Sequence, residues 1–398
     1  MTIFSLTEPA AKSALVANKP WDQAIYQALA QTHGVDADVV LLFSSGKYAD
    51  HFQDMLRIVR RETGASSVLG CSGEGVIGTG TELEEVPALS LLRLSLPGAT
   101  LHTVRFTQQM VEHCTSSLAW SEQLGIAAGE VNSWLIFADP LHMDCEGLLD
   151  SLTRAYSGLP MVGGLAANDQ AERCTYLFRN DEVYRDGAIG LAIGGPYTLH
   201  PLVSQACEPI GETWTITSVH SHGLIESISN RPAYDLLIET FKSLPAMMQH
   251  RAQRNLLVGL AADEYCHSFE RGSFLIRPLL GVDRRTGTLA IGAVPRLGQT
   301  IQFQLRDAHT ASLDLQQMLM KAKKELGDRQ PVSAILCTCN GRGEHMFACS
   351  DHDAQAIERE LGPLPLAGFF CNGEIGPVGK RAFLHGFTAC LALVVKQY

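Results

Sequence analysis

One phrase is written into this chain more than once. Gly70-Cys71-Ser72-Gly73-Glu74-Gly75-Val76-Ile77-Gly78 stands near the start and Gly368-Phe369-Phe370-Cys371-Asn372-Gly373-Glu374-Ile375-Gly376-Pro377 near the end, each placing Cys-x-Gly-Glu after an apolar run. A related pair lies between them, Gly164-Leu165-Ala166-Ala167-Asn168-Asp169 and Gly259-Leu260-Ala261-Ala262-Asp263-Glu264. There too a glycine leads from apolar residues to acidic or amide side chains. Such repetition restricts the chain to folds built from copies of one strand-and-turn device. It predicts that the two Cys-x-Gly-Glu turns occupy equivalent places in related units.

The lead-in repeats as well. Val39-Val40-Leu41-Leu42-Phe43 reads as a buried strand, Phe52, Met55, Leu56 and Val59 have helical spacing, and Val68-Leu69 opens a second strand. That is a β-α-β unit. Trp134-Leu135-Ile136-Phe137, then Leu148, Leu149 and Leu152, then Met161-Val162-Gly163-Gly164 give a second. Ala334-Ile335-Leu336-Cys337, a helix from about Ala354 to Leu361, and Leu364-Pro365-Leu366-Ala367-Gly368 give a third.

Each first strand ends in a polar turn: Ser44-Ser45-Gly46, Ala138-Asp139-Pro140 and Cys339-Asn340-Gly341-Arg342-Gly343. In sheets fed by β-α-β crossovers, the carboxyl ends of strands border a crevice where ligands bind. The candidates are therefore Ser44, Asp139, Asn340 and Arg342, joined by Glu74, Asn168, Asp169 and Glu374 from the second strands. Arg342, between two glycines, presents a fork suited to a carboxylate or phosphate.

With 398 residues, 46% hydrophobic and 18% charged, the chain can bury a large core and exceeds one typical domain. A formal charge of -11 leaves no basic footprint for nucleic acid or an anionic membrane. The longest apolar runs, such as Phe387 to Val395, fall short of the roughly 20 residues of a membrane helix. Residues 1–20 show no basic-then-apolar leader, so a cytoplasmic location without membrane insertion is expected. Eleven scattered cysteines, several inside apolar strands (Cys337, Cys390), read as reduced core residues rather than a disulfide framework.

A seam is expected near residues 222–232. Before it, Thr175-Tyr176-Leu177-Phe178 turns at Asn180-Asp181 into Val183-Tyr184, a hairpin pattern. After it, Asn230-Arg231-Pro232 starts a helix with Leu236, Leu237 and Phe241 on one face, followed by strands at Phe274-Leu275-Ile276, Leu289-Ala290-Ile291 and Ile301-Gln302-Phe303. The fold class is α/β: two domains of repeated β-α-β units with mixed sheets.

The run Gly368 to Gly379, with Leu384-His385 and Thr388 after it and Asn340-Gly341-Arg342-Gly343 before it, closely resembles the FIST C domain. Residues from about 35 to 220, with Leu42-Phe43-Ser44, Gly70 to Glu74, Gly163-Gly164 and Gly211, resemble the FIST N domain. The resemblance implies an N-terminal extension over 1–34, a FIST N-like domain over 35–222 and a FIST C-like domain over 223–398. It implies a sensory protein of bacterial signalling that binds a small, amino-acid-like ligand and passes its state to a signalling protein such as a histidine kinase. An alternative it brings is a haem-binding nitric oxide sensor, with His385 as axial ligand because it follows the Glu374 turn. In the ligand-sensing reading Arg342 holds an anionic group of the ligand, and Glu374 first, Glu74 second, takes a donor such as an ammonium.

A competing class is an enzyme using Cys71 or Cys371 on an acyl or amide substrate. That chemistry needs a neighbouring base to form the thiolate, and none of the 14 histidines sits in a recognisable pairing motif, so no catalytic residue is assigned. Cys71 and Cys371 stay among the ligand-crevice candidates. His142-x-x-Cys145, Cys337-x-Cys339 and Cys349-x-x-His352 each have tolerable spacing for two metal ligands, but no second pair completes a zinc site at a recognisable interval.

Overall fold

The computed structural model describes residues 8–168, 174–221, 223–253 and 255–397. Its described residues form two compact units, one running up to Val203 and resuming at Gln316, the other spanning Ser204–Leu315.

The first unit is written three times. The first repeat is β1 (Ala10–Ala17), α1 (Trp21–Gln31), β2 (Val39–Ser45), α2 (Phe52–Thr63), β3 (Ser67–Gly73), β4 (Gly75–Gly78), β5 (Thr81–Glu84) and β6 (Ala88–Ser95). The second is β7 (Thr100–Phe106), α3 (Gln108–His113), α4 (Ser117–Leu124), β8 (Ser133–Ala138), α5 (Cys145–Ala155), β9 (Met161–Leu165), β10 (Leu177–Arg179), β11 (Glu182–Tyr184) and β12 (Ala188–Gly194). The third opens with β13 (Tyr197–Ser204). The chain then builds β14 (Glu208–Val219), β15 (Ile225–Ile228), β16 (Arg231–Pro232), α6 (Ala233–Ser243), α7 (Ala246–Ala252), β17 (Leu256–Ala261), β18 (Phe274–Asp283), β19 (Thr288–Ile291) and β20 (Thr300–Leu305). The third repeat resumes with α8 (Ala308–Leu326), β21 (Ser333–Cys339), α9 (Gly343–Phe347), α10 (His352–Leu361), β22 (Leu366–Cys371), β23 (Glu374–Val378), β24 (Arg381–His385) and β25 (Ala389–Lys396).

Local sequence explains the elements. Phe52, Met55, Leu56 and Val59 bury one face of α2, which stops at Gly64 in the left-handed region (φ 65°). β2 is apolar along most of its length because its sheet is covered on both faces, and every residue of it is buried.

Strand order gives each repeat the same sheet: β1-β6-β2-β3-β10-β11, β7-β12-β8-β9-β23-β24 and β13-β25-β21-β22-β4-β5. The central pairs β2–β3, β8–β9 and β21–β22 are parallel, as the three β-α-β units require, and the flanking pairs β2–β6, β8–β12 and β21–β25 are antiparallel. The outer two strands of each sheet come from another repeat. The first repeat gives hairpin β4–β5 to the third, the third gives β23–β24 to the second, and the second gives β10–β11 to the first. Phe43, Phe137 and Phe369, one from each repeat, meet in the shared core with ring centroids 4.9, 5.2 and 5.7 Å apart. Leu41, Leu69, Leu135, Val162, Ile335 and Ala367 line the same core.

The second unit is a seven-stranded sheet, β14-β20-β17-β18-β19-β15-β16, with β14 also pairing β15. Its strands pair antiparallel among the described residues. α6 buries Ala233, Leu236 and Leu237 on its own core of Ile216, Val258, Ile301 and Phe303. The hairpin expected at 175–184, the helix after Pro232 and the strands at 274, 289 and 301 all form. Gly259-Leu260-Ala261-Ala262, by contrast, is not a copy of the repeated device: Gly259 lies in antiparallel β17, whereas Gly164 lies in a parallel pair. Residues 223–232 fall in and just beyond the β14–β15 hairpin, and the compact division follows strand pairing instead of chain order, since β25 pairs β21 and lies beside β13.

Candidate functional site

A glycine fixes the equivalence of the three repeats. Gly70, Gly163 and Gly368 sit opposite Leu42, Ile136 and Leu336 in the parallel registers. A Cβ at these positions would lie 1.7, 1.7 and 2.1 Å from the carbonyl oxygens of those partners, so the strands approach too closely for any side chain. Counting from these glycines, Glu74, Ala167 and Asn372 are equivalent. Their backbone N–H groups donate to Phe370, Ser72 and Leu165, themselves equivalent, at 3.1, 3.0 and 3.1 Å. Each bond runs from one repeat to the next, and the three close a ring where the strand pairs end.

The same count corrects the expectation for the Cys-x-Gly-Glu turns. Both turns lead a second strand into a donated hairpin, as expected, but they are offset by two residues: Cys71 follows its marker glycine directly and Cys371 lies three beyond it. An offset of two keeps both thiols on one face. It separates the glutamates, leaving Glu74 exposed in the joint and Glu374 buried as the first residue of β23.

Polar side chains rim the ring. Exposed Asn372 donates through Nδ2 to the Ala166 carbonyl (3.1 Å) and accepts from Asn340 Nδ2 (2.9 Å). Half-buried Asn168 lies 3.6 Å from Cys174 Sγ. Asp169 falls outside the described residues. Asp139, buried at the end of β8, accepts from the His142 backbone N–H and sits 2.8 Å from His142 Nδ1, while Thr175 donates to its other oxygen at 2.6 Å. Ser44 is buried, with its hydroxyl on the Ser45 and Ala88 carbonyls, and so closes a strand end.

Three candidates lie inside the protein. Arg342 is fully buried, and its fork is occupied by Asp353 (Nε to Oδ2 2.6 Å, Nη2 to Oδ1 2.8 Å). A ligand anion would have to displace a carboxylate from this pair. Burial alone would raise Asp353, yet Arg342 and His352 outweigh it and hold the carboxyl well below its ordinary range. Glu374 accepts from the Thr388 N–H (2.9 Å) and hydroxyl and contacts Cys371 Sγ at 3.3 Å. Burial, only partly offset by Thr388, pushes it up to about 7. His385 is buried, with Nε2 3.1 Å from the Gly376 carbonyl, a contact that axial ligation of haem through Nε2 would break.

Cys71 and Cys371 are fully buried, and burial pushes both thiols well above their ordinary value. Cys371 donates to the Thr338 carbonyl at 3.1 Å. All eleven cysteines are free. Among the described residues no group of three or more His, Cys, Asp or Glu side chains is arranged to hold a metal ion. No helix among them is long and apolar enough to cross a membrane.

Sequence reasoning missed the partners that define these places: Asp353 for Arg342, Thr388 for Glu374, and Asn372 as the bridge between Asn340 and the ring. Asp353 left a trace, as an acid spaced onto the same helical face as apolar Ile357, but its partner is chosen by folding.

These features define a three-repeat α/β protein carrying an inserted antiparallel unit, with a polar rim where its parallel strand pairs end. The chain belongs to the FIST family: the FIST N domain matches residues 38–231 and the FIST C domain residues 233–377. FIST domains are associated with sensing in signal transduction and with small-ligand binding. The uncharacterized protein Rv0628c of Mycobacterium tuberculosis is 35% identical over 373 residues, 94% of this chain and 95% of the relative. The uncharacterized protein Mb0898c of Mycobacterium bovis is 33% identical over 389 residues, 98% and 97% of the two chains. Among solved structures, the cyanuric acid hydrolase of A. caulinodans covers 98% of this chain and 100% of its own at 9% identity, with a TM-score of 0.38. A likeness that slight carries nothing about activity.

Proposed function

We propose that this protein is a sensor that binds a small ligand on the polar rim and passes its bound state to a signalling protein such as a histidine kinase. The observation that carries the reading is the closed ring of backbone hydrogen bonds, which holds exposed Glu74 and Asn372, together with Asn340, on a rigid frame. A carboxylate and two amides carried on one ring suit a ligand with an ammonium and further donors or acceptors, as an amino acid has. Burial of Cys71 and Cys371, which disfavours the thiolate, supports binding over cysteine-based turnover.

The test is native mass spectrometry of the purified protein, alone and after incubation with the twenty amino acids, repeated on Glu74→Ala. Losing a charged hydrogen-bond partner costs roughly 1.5–3 kcal/mol, about ten- to a hundredfold in affinity. A stoichiometric adduct weakened by that factor supports the reading. No adduct in the wild type, or one indifferent to Glu74→Ala, overturns the assignment of ligand class and rim.

A further inference from the structure

Three donated hairpins dock on three equivalent helices, and two of the docks are alike. β10–β11 reaches α2 through Arg60 and Asp181, 2.6 Å apart with side chains 46% and 50% exposed. β23–β24 reaches α5 through Arg381 and Asp150, 3.0 Å apart and 56% and 43% exposed. Such surface pairs are worth little. The third dock, β4–β5 on α10, is built from buried ionisable groups. Glu82 is 7% exposed, and its carboxyl accepts the Ala354 N–H at 2.9 Å while its own N–H donates to Asp351 at 2.6 Å. Behind it lies Asp353, already paired to Arg342 and touched by Thr338 (3.2 Å) and by His352 Nδ1 (2.8 Å). His352 stacks on Phe347 with centroids 3.5 Å apart.

We propose that this dock is a proton-operated latch: a proton on Glu82 holds the β4–β5 hairpin of the first repeat on α10 of the third, and its release to water loosens the hairpin.

The charges around Glu82 favour the proton. β5 adds Glu84, whose carboxyl accepts the Glu344 N–H at 2.9 Å. Arg342 comes from the turn after β21, Glu344 and His345 from α9, Asp351 from the following turn, and His352, Asp353 and Glu358 from α10. Glu358 lies against Gly80 at the tip of the hairpin, where a Cβ would come within 2.2 Å of its carboxylate. Five carboxylates besides Glu82 thus stand against one guanidinium and two imidazoles. A second ionised carboxylate beside Asp353 has no further buried arginine in this set to answer it. Burial first, and Asp353 next, push Glu82 up to about 8 from its ordinary 4.5. Glu74 immediately precedes β4, so the hairpin leaves the ring at the rim. The latch does not depend on what the rim binds.

The sign follows from linkage. Glu82 in a lifted hairpin ionises near 4.5, while in the docked hairpin it keeps its proton to about 8. Opening therefore becomes easier by roughly tenfold per pH unit between these values and levels off above the upper one. Hydrogen–deuterium exchange on the full chain, corrected for intrinsic exchange rates, reads this directly. Peptides over residues 75–84 should exchange roughly tenfold faster per pH unit from about pH 5 to about 8 and then flatten. Peptides over 177–184 should show no such rise, and in Glu82→Gln the 75–84 slope should lose Glu82's roughly tenfold per pH unit up to about 8, leaving only the smaller share of Glu84, which burial also raises. A wild-type hairpin that follows 177–184 across this range overturns the proposal, as does a Glu82→Gln variant that keeps the full wild-type slope up to about pH 8. If Glu82→Gln does not fold, the comparison of the two wild-type hairpins decides alone.

Discussion

Glu374 is a buried carboxyl whose cost depends on pH, and replacing it by glutamine should expose that cost. Its ordinary pKa is 4.5 and burial pushes it up to about 7. The unfolded chain therefore ionises first as pH rises, and the folded state loses stability from about 4.5 up to about 7, with the full penalty present above. At about 1.36 kcal/mol per unit the complete penalty is roughly 3 kcal/mol, of which about 2.5 falls between pH 5 and pH 8. A glutamine side chain titrates nowhere in that range. Its carbonyl can still accept from the Thr388 N–H that Glu374 holds at 2.9 Å, and its amide can face Cys371. Glu374→Gln should thus gain about 2.5 kcal/mol on wild type between pH 5 and pH 8, whatever the offset at pH 5. Urea unfolding followed by tryptophan fluorescence measures it, since Trp120 and Trp134 are buried in the same unit. Parallel pH profiles for wild type and variant would refute the reasoning, because a Glu374 ionised throughout carries no such linkage.

The Arg342–Asp353 pair should be far costlier to break than to replace. Arg342→Met leaves Asp353 buried without its guanidinium and should lose roughly 3–5 kcal/mol, and adding Asp353→Leu should recover a large part of it, both read from thermal unfolding. Cysteine labelling should sort by burial. With iodoacetamide under native conditions exposed Cys349 should react first, while Cys71, Cys337, Cys371 and Cys390 stay unmodified until urea is added, as peptide mass spectrometry would record.

What the sequence determined by itself is local. Helical spacing in Phe52, Met55, Leu56 and Val59, the apolar run from Val39 to Phe43 and the Asn180-Asp181 turn each fix an element within a dozen residues. That is why three β-α-β units and the two-part α/β architecture were legible, and why the rim could be placed at strand ends. The tertiary structure decided what depends on partners far along the chain. Which sheet a hairpin completes is set by the edge it meets, so the cyclic exchange of β4–β5, β10–β11 and β23–β24 has no local signature. The two-residue offset that exposes Glu74 and buries Glu374 appears only once Gly70 and Gly368 are found against Leu42 and Leu336. Arg342 looked ready for an outside anion because a sequence shows a charge without showing its surroundings. Folding placed Asp353 against that charge, and a buried guanidinium is stable only with a partner held there.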